Sequence, residues 1–279
     1  MTTRKSDSIR DKVRERYAGI AVGNRKSRGA VTSCCCSPQP SSDKAQSGCC
    51  STQPPSAKKQ SAQLGYSAAE LNAVPEGANM GLGCGNPQAI AMLKKGEVVI
   101  DLGAGGGFDC FLAAKQVGRQ GKVIGVDMTP EMISKARENA RQGRFTNVEF
   151  RLGEIEHLPV ADNTANAIIS NCVINLSPDK PQVYRDAYRV LKPGGRLAIS
   201  DLVAIKPIPQ FVKRDFEKHS GCVAGASPLR ELERILKSAG FRNICVTVKE
   251  NSAEFIKDWF PGSGVEKYVR SAEVRATKR

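Results

Sequence analysis

A chain of 279 residues with 40% apolar and 25% charged content is long enough to bury a full core and has the composition of an ordinary globule. No run approaches the roughly 18 apolar residues of a membrane span, and the N-terminus lacks the hydrophobic core of a signal peptide. A cytoplasmic protein with no membrane partner is expected, whose ten cysteines stay reduced and serve as ligands, redox groups or buried apolar residues rather than staples. The net charge of +14 points towards nucleic acid, but residues 1–63 carry +8 of it and the remaining 216 residues only +6. A solvated basic tail accounts for that excess, and no nucleic-acid partner is expected.

Ile9, Val13, Tyr17 and Ile20 recur at helical spacing among charged residues, which predicts an amphipathic helix over 7–22 within an N-terminal region 1–30. From Thr32 to Gln63 there is no Leu, Ile, Val, Met, Phe, Tyr or Trp. Such a stretch buries too little to offset the ordering of its backbone, so 31–63 reads as a disordered linker carrying Cys34, Cys35, Cys36, Cys49 and Cys50. Residues 64–279 then read as one domain, with its core over 95–250. Ser67 and Glu70 form a capping box, and Asn86 as N-cap with Pro87 as first helical residue opens a helix predicted to reach about Lys95. Strands at 97–102, 123–126, 148–152, 167–170 and 196–200 alternate with helices at 107–117, 129–142 and 177–191. A helix from Ser227-Pro228 to about Gly240 precedes closing strands at 244–248 and 268–276. The alternation predicts an α/β fold: a mostly parallel seven-stranded sheet with helices on both faces and an antiparallel C-terminal hairpin.

Asp101-Leu102-Gly103-Ala104-Gly105-Gly106-Gly107 joins the first strand to a helix, at the carboxyl ends of the strands where open α/β sheets bind ligands. The glycines at 103, 105 and 107 are followed by Phe108, where a dinucleotide fingerprint wants Gly or Ala. Asp101, directly before the turn, would repel a pyrophosphate but favours a ligand with an ammonium and a sulfonium. S-adenosylmethionine has both and no phosphate. Asp127 ends the second strand 20 residues after Gly107, where a carboxylate accepts ribose hydroxyls. Gly153-Glu154-Ile155-Glu156-His157-Leu158-Pro159 follows the third strand, and Leu191-Lys192-Pro193-Gly194-Gly195 precedes the fifth.

Three cysteines flank this framework: Cys84 in Gly81-Leu82-Gly83-Cys84-Gly85-Asn86-Pro87, Cys172 in Ser170-Asn171-Cys172-Val173-Ile174-Asn175-Leu176, and Cys222 in Ser220-Gly221-Cys222-Val223-Ala224-Gly225. A free cysteine taken alone is usually a small buried hydrophobe, but these lie in loops among Gly and Asn. Soft thiolates select soft centres. Trivalent arsenic binds three sulfurs as a pyramid and keeps a lone pair on its open face. Cys84, just before a helix N-terminus, is expected to have a lowered pKa. Cys110 and Cys245 are read as packing residues, as is Trp259. His157 and His219 lie in no metal-ligand spacing.

Together these segments, with Pro178-Asp179-Lys180, resemble the arsenite methyltransferases of the Rossmann-like class I methyltransferase superfamily. The resemblance runs from about Ile9 to Ala276 and is interrupted by the linker. It implies transfer of methyl groups from S-adenosylmethionine to arsenite, or its thiol adducts, held by Cys84, Cys172 and Cys222. It also implies cofactor contacts from Asp101, Gly103, Gly105, Gly107, Asp127, Met128, Glu154, Ile155 and Asn171, with Glu154 on the adenine amine and Ile155 on its ring. The family's fourth, N-terminal cysteine pairs with the Cys84 counterpart during turnover and is re-reduced by thioredoxin or a thiol such as glutathione. Five linker cysteines compete for that role. A monomer is expected. Two other readings stay open: a quinone or small-molecule C-methyltransferase of the same fold, and a metalloid-binding protein without chemistry.

Overall fold

The computed structural model describes residues 3–23, 56–213, 215 and 222–279, with side chains from residue 6 onward. The five linker cysteines and His219 lie outside the described residues. Strands β1 (Val98–Leu102), β2 (Lys122–Asp127), β3 (Val148–Leu152), β4 (Ala165–Asn171), β5 (Leu191–Ala204), β6 (Ser227–Pro228), β7 (Arg242–Lys249) and β8 (Val269–Thr277) form one sheet. Its order is β3-β2-β1-β4-β5-β8-β7, with β6 a two-residue addition to β5. All neighbours are parallel except β8, which runs antiparallel to both β5 and β7. The order reverses between β1 and β4, so the Gly103 turn and Cys172 emerge side by side at the carboxyl edge.

The helices follow from the sequence where their caps are strong. Helix α3 (Ala68–Asn72) begins on the Ser67–Glu70 capping box. Helix α5 (Phe108–Val117) follows the glycine turn, α6 (Pro130–Gln142) starts after Thr129, and α7 (Lys180–Val190) is capped by the Asp179 side chain. Three features depart from expectation. Residues 57–63, read as linker, form helix α2, with the Ser56 side chain accepting the Lys59 N–H. Helix α4 spans only Gln88–Ala91, because Met92 turns left-handed at φ 47° and ends it four residues short of Lys95. Strand β5 runs well past Ser200, since β8 pairs with it continuously from Arg196↔Thr277 to Ala204↔Val269. No described helix is long and apolar enough to cross a membrane.

The sheet core is apolar on both faces, with Leu102, Ile168, Leu197 and Ile199 among its fully buried side chains. A third apolar cluster sits over the carboxyl edge and contains Cys84, Cys222, Leu176 and Leu202 together with Val13 of α1 (Thr3–Ala21). Helix α1 is therefore part of the core around the ligand edge. Its Arg10 reaches Glu156 at 3.1 Å and Glu154 at 3.4 Å, and Arg14 reaches Glu154 at 3.6 Å and the Met128 carbonyl at 3.3 Å. Glu156 is buried and otherwise accepts only the Ser177 hydroxyl and no second cation among the described residues. Removing its cation leaves that carboxylate unpaired. Arg10→Ala is expected to cost about 1–3 kcal/mol and to expose α1 to proteolysis, as measured by denaturant unfolding and limited digestion.

Candidate functional site

The glycine turn adopts backbone that side chains would oppose. Gly103 has φ +71°, and a Cβ there would lie 2.6 Å from Val173; Gly105 has φ +51° but only the Met80 methyl nearby, at 3.6 Å. The first glycine lets β1 and the Cys172 turn approach each other, and the second faces open space at the strand ends. The Asp127 carboxylate accepts the Gly105 and Thr129 N–H groups, each at 2.9 Å, which ties the end of β2 to the turn.

Around the turn lie three carboxylates, the buried Asp101 and Asp109 and the half-buried Asp127. Asp101 takes only the Cys110 thiol, at 3.2 Å. Asp109 accepts the Tyr66 hydroxyl at 2.8 Å and the Gln88 and Asn171 amides at 3.4 and 3.3 Å. Among the described residues no Lys or Arg pairs with any of them. Burial first, then repulsion from Asp109, pushes Asp101 well above the carboxylate range, and burial raises Asp127 and takes Asp109 to about 6. Ionising these carboxylates is costly in the free pocket, and a ligand carrying an ammonium and a sulfonium would relieve that cost where a phosphate would add to it. Asp101, Asp127 and the glycine backbone are thus suited to hold S-adenosylmethionine. Cys110 is both a packing residue and the hydrogen-bond donor to Asp101. Met128 packs at the apolar carboxyl-edge cluster, and Ile155 is buried in the sheet core. Glu154 lies under Arg10 and Arg14.

The thiols converge beside this pocket. The sulfurs of Cys84 and Cys172 and one carboxylate oxygen of Asp201 all lie within 4.8 Å of one another. Cys222 donates its thiol to the Cys172 carbonyl at 2.7 Å, although its sulfur is not part of that close trio. Cys172 and Cys222 hold positive φ, 58° and 65°, a conformation that costs a non-glycine residue about 1 kcal/mol or more and that concentrates at functional sites. The Cys84 thiol does not have the lowered pKa expected from a following helix. Helix α4 is one short turn, and burial raises Cys84 to about 11. Cys172 is drawn down by Cys222, but Cys84 and burial carry it well above the ordinary thiol value; Cys222 is raised by Cys172 and by burial. Cys245 is also corrected. It is exposed on edge strand β7 beside Thr247 and Arg275, which lower its pKa.

Asn171 joins the two halves. Its side-chain oxygen accepts the Cys84 N–H at 3.0 Å, and its amide donates to Gly85 O at 2.8 Å and the Tyr66 hydroxyl at 3.0 Å. Two side chains at the site carried no sequence expectation of a role there. Asp201 breaks an apolar run in β5; burial raises it to about 6, and it accepts Asn175 Nδ2 at 2.8 Å and the Leu202 N–H at 2.7 Å. Tyr17 of α1 faces Cys222, Cys172 and Asp127 together, and with burial these hold its phenol well above the usual range. Trp259 packs on Phe255, while His157 is exposed.

The raised carboxylates fix a sign. Asp109 and Asp201 bind protons more tightly folded than unfolded, so their stabilisation is full below the unfolded carboxylate range and fades as pH rises through about 6. The ligand-free protein is therefore expected to melt at a higher temperature at pH 6 than at pH 8. Calorimetric scans should show the difference shrinking in Asp109→Asn.

A family model described as a methyltransferase domain matches residues 93–240. An arsenite methyltransferase from Halobacterium salinarum is 50% identical over 99% of this chain and 68% of its own length. An arsenite methyltransferase from Aquipseudomonas alcaligenes is 41% identical over 60% of this chain, and the match spans half of that relative. Among solved structures, CrArsM, an arsenic(III) S-adenosylmethionine methyltransferase from Chlamydomonas reinhardtii, aligns with a TM-score of 0.59 and 31% identity over 82% of this chain and 75% of that one. With the sheet order, the glycine turn and the thiol cluster, these likenesses establish that the chain belongs to the arsenite methyltransferase family of S-adenosylmethionine-dependent methyltransferases.

Proposed function

We propose that the protein methylates arsenite, with Cys84, Cys172 and Cys222 as the three sulfur ligands. The observation that carries this reading is that the Cys84 and Cys172 sulfurs lie within 4.8 Å of each other, with Cys222 bonded to the Cys172 carbonyl, beside a carboxylate-lined glycine turn. S-adenosylmethionine supplies, when bound, an electrophilic methyl on a sulfonium, and thiolate-bound trivalent arsenic presents the lone pair that accepts it. Asp101, Asp127, Gly103, Gly105 and Gly107 hold the cofactor's charged and ribose parts, with Met128, Glu154, Ile155 and Asn171 completing its pocket. The thiols fix the arsenic, and their apolar surround excludes water. No general base is required of this site. Proximity supplies most of the rate, since a misplacement of about 1 Å costs on the order of 100-fold. A thiol of the Cys34–Cys36 or Cys49–Cys50 groups closes the redox cycle, with thioredoxin or glutathione as reductant. A C-methyltransferase of the same fold has no use for these three thiols.

Serine at Cys172 or Cys222 is expected to lower arsenite methylation by about 100-fold or more while S-adenosylmethionine still binds. Chromatography of labelled arsenic species and calorimetry of cofactor binding read the two effects. Activity surviving a triple serine variant would overturn the assignment. A second expectation follows from the raised thiol pKa values. Protonated thiols and neutral arsenous acid exchange to three As–S bonds and three waters, with no net proton change. Binding heats measured near neutral pH in buffers of different ionisation enthalpy should coincide. Thiolates in the free site would instead draw protons from the buffer.

A further inference from the structure

Lys180 stands in an unfavourable place. It is the first residue of α7, at the positive end of the helix dipole, and it is largely removed from water. A lysine there loses twice unless other groups compensate, and breaches of local preference of this kind concentrate where function demands them. The compensating groups all belong to the thiol side of the molecule. The Lys180 ammonium donates to the Gly225 carbonyl and to the Ser227 hydroxyl, the latter at 2.8 Å. The carboxylates that favour its charge are Asp201 and Glu231.

Gly225 and Ser227 lie three and five residues after Cys222. Ser227 and Pro228 form β6, which pairs with Val203 and Ala204 at the end of β5. Gly225 is pressed against Asn175, where a Cβ would lie 2.0 Å from the Asn175 carbonyl oxygen. Asn175 in turn donates its side-chain amide to Asp201 at 2.8 Å and to Leu202 O at 2.7 Å. The segment carrying Cys222 is thus clamped between Lys180 on one side and the Asn175–Asp201 pair on the other. Its backbone leads straight to the strained residue whose thiol meets Cys172.

We infer that Lys180 is a positioning residue for the substrate, which fixes the Cys222 thiol against Cys172 by clamping Gly225 and Ser227 to the N-terminus of α7. The inference rests on the reading that the three thiols hold arsenite. Lys180 acts through the backbone that presents the third sulfur, and its charge faces Asp201 rather than the carboxylates of the glycine turn.

The test compares wild type with Lys180→Met and Ser227→Ala in the full chain. It reads the arsenite KM, calorimetric S-adenosylmethionine affinity, and the arsenic–sulfur coordination number by X-ray absorption of the arsenite complex. Lys180→Met is expected to raise the arsenite KM by about tenfold or more, the range of a lost charged hydrogen bond, with cofactor affinity unchanged. It should also lower the coordination number from three sulfurs towards two. Ser227→Ala removes one of the two clamped groups without removing the cation, and should move both readouts in the same direction by less. An unchanged coordination number in both variants, with three sulfurs in wild type, would overturn the role of Lys180 and leave the thiol site standing. Equal losses in arsenite and cofactor affinity in both variants would likewise reduce Lys180 to a folding residue. A wild-type complex without arsenic–sulfur bonds would remove the thiol reading itself, and the clamp with it.

Discussion

The amide of Asn171 is the contact on which the site's geometry depends. It sits at the carboxyl end of β4, one residue before Cys172, and bonds to both sides of the Cys84 peptide segment, to Tyr66 and to Asp109. Gly83 approaches it so closely that a Cβ would stand 2.9 Å from its nitrogen. For a half-buried primary amide, losing these partners costs up to about 1–3 kcal/mol for each group left unmet. The loop carrying Cys84 therefore has little freedom relative to the sheet. The same side chain reaches the carboxylate network of the glycine turn, so the thiol and cofactor halves share one set of hydrogen bonds.

The two halves handle charge in opposite ways. Around the glycine turn, burial and, at Asp101, repulsion from Asp109 make ionisation of Asp101, Asp109 and Asp127 costly, a cost that a cationic ligand would relieve. Around the thiols, burial keeps sulfur protonated and the cluster close to neutral, which suits uptake of a neutral arsenic hydroxide or thiol adduct. At the boundary, Asp201 and Lys180 each favour the charged form of the other against burial. The carboxylate side of the site thus suits a cationic ligand and the thiol side a neutral one.

Much of this was legible in the sequence because it is written in local patterns. Alternating strand and helix periodicity located the sheet, and the Gly103–Gly107 spacing located the turn, whose left-handed glycines explain the pattern. What local pattern missed, tertiary contact decides. Met92 ends α4 by a left-handed turn that no breaker residue announces, with Arg196 donating to the Ala91 and Met92 carbonyls from β5. Cys84 sits before a helix too short to lower its pKa and in an interior dry enough to raise it. Cys245 alternates correctly for a strand, but its face at the sheet edge has no covering layer. Asp201 is visible only as an acidic residue inside an apolar run, and its importance comes from the loops that meet there.

Helix α1 shows how far sequence neighbourhood and spatial neighbourhood diverge. Its amphipathic stripe is readable, yet the stripe's partners are not. Val13 enters the apolar cluster of Cys84 and Cys222, Tyr17 faces both thiols and Asp127, and Arg10 and Arg14 bind the Glu154–Glu156 turn. Part of the basic excess of the N-terminal region is thereby directed inward, onto acidic residues of the same chain, rather than outward to a polyanion. One helix thus bonds the Glu154–Glu156 turn and packs into the apolar cluster that contains Cys84 and Cys222. Contacts so distributed tie the seating of α1 to both ligand pockets at once. Val13, Cys84 and Cys222 belong to one apolar cluster, so a substitution that unseats α1 disturbs the packing of the thiols.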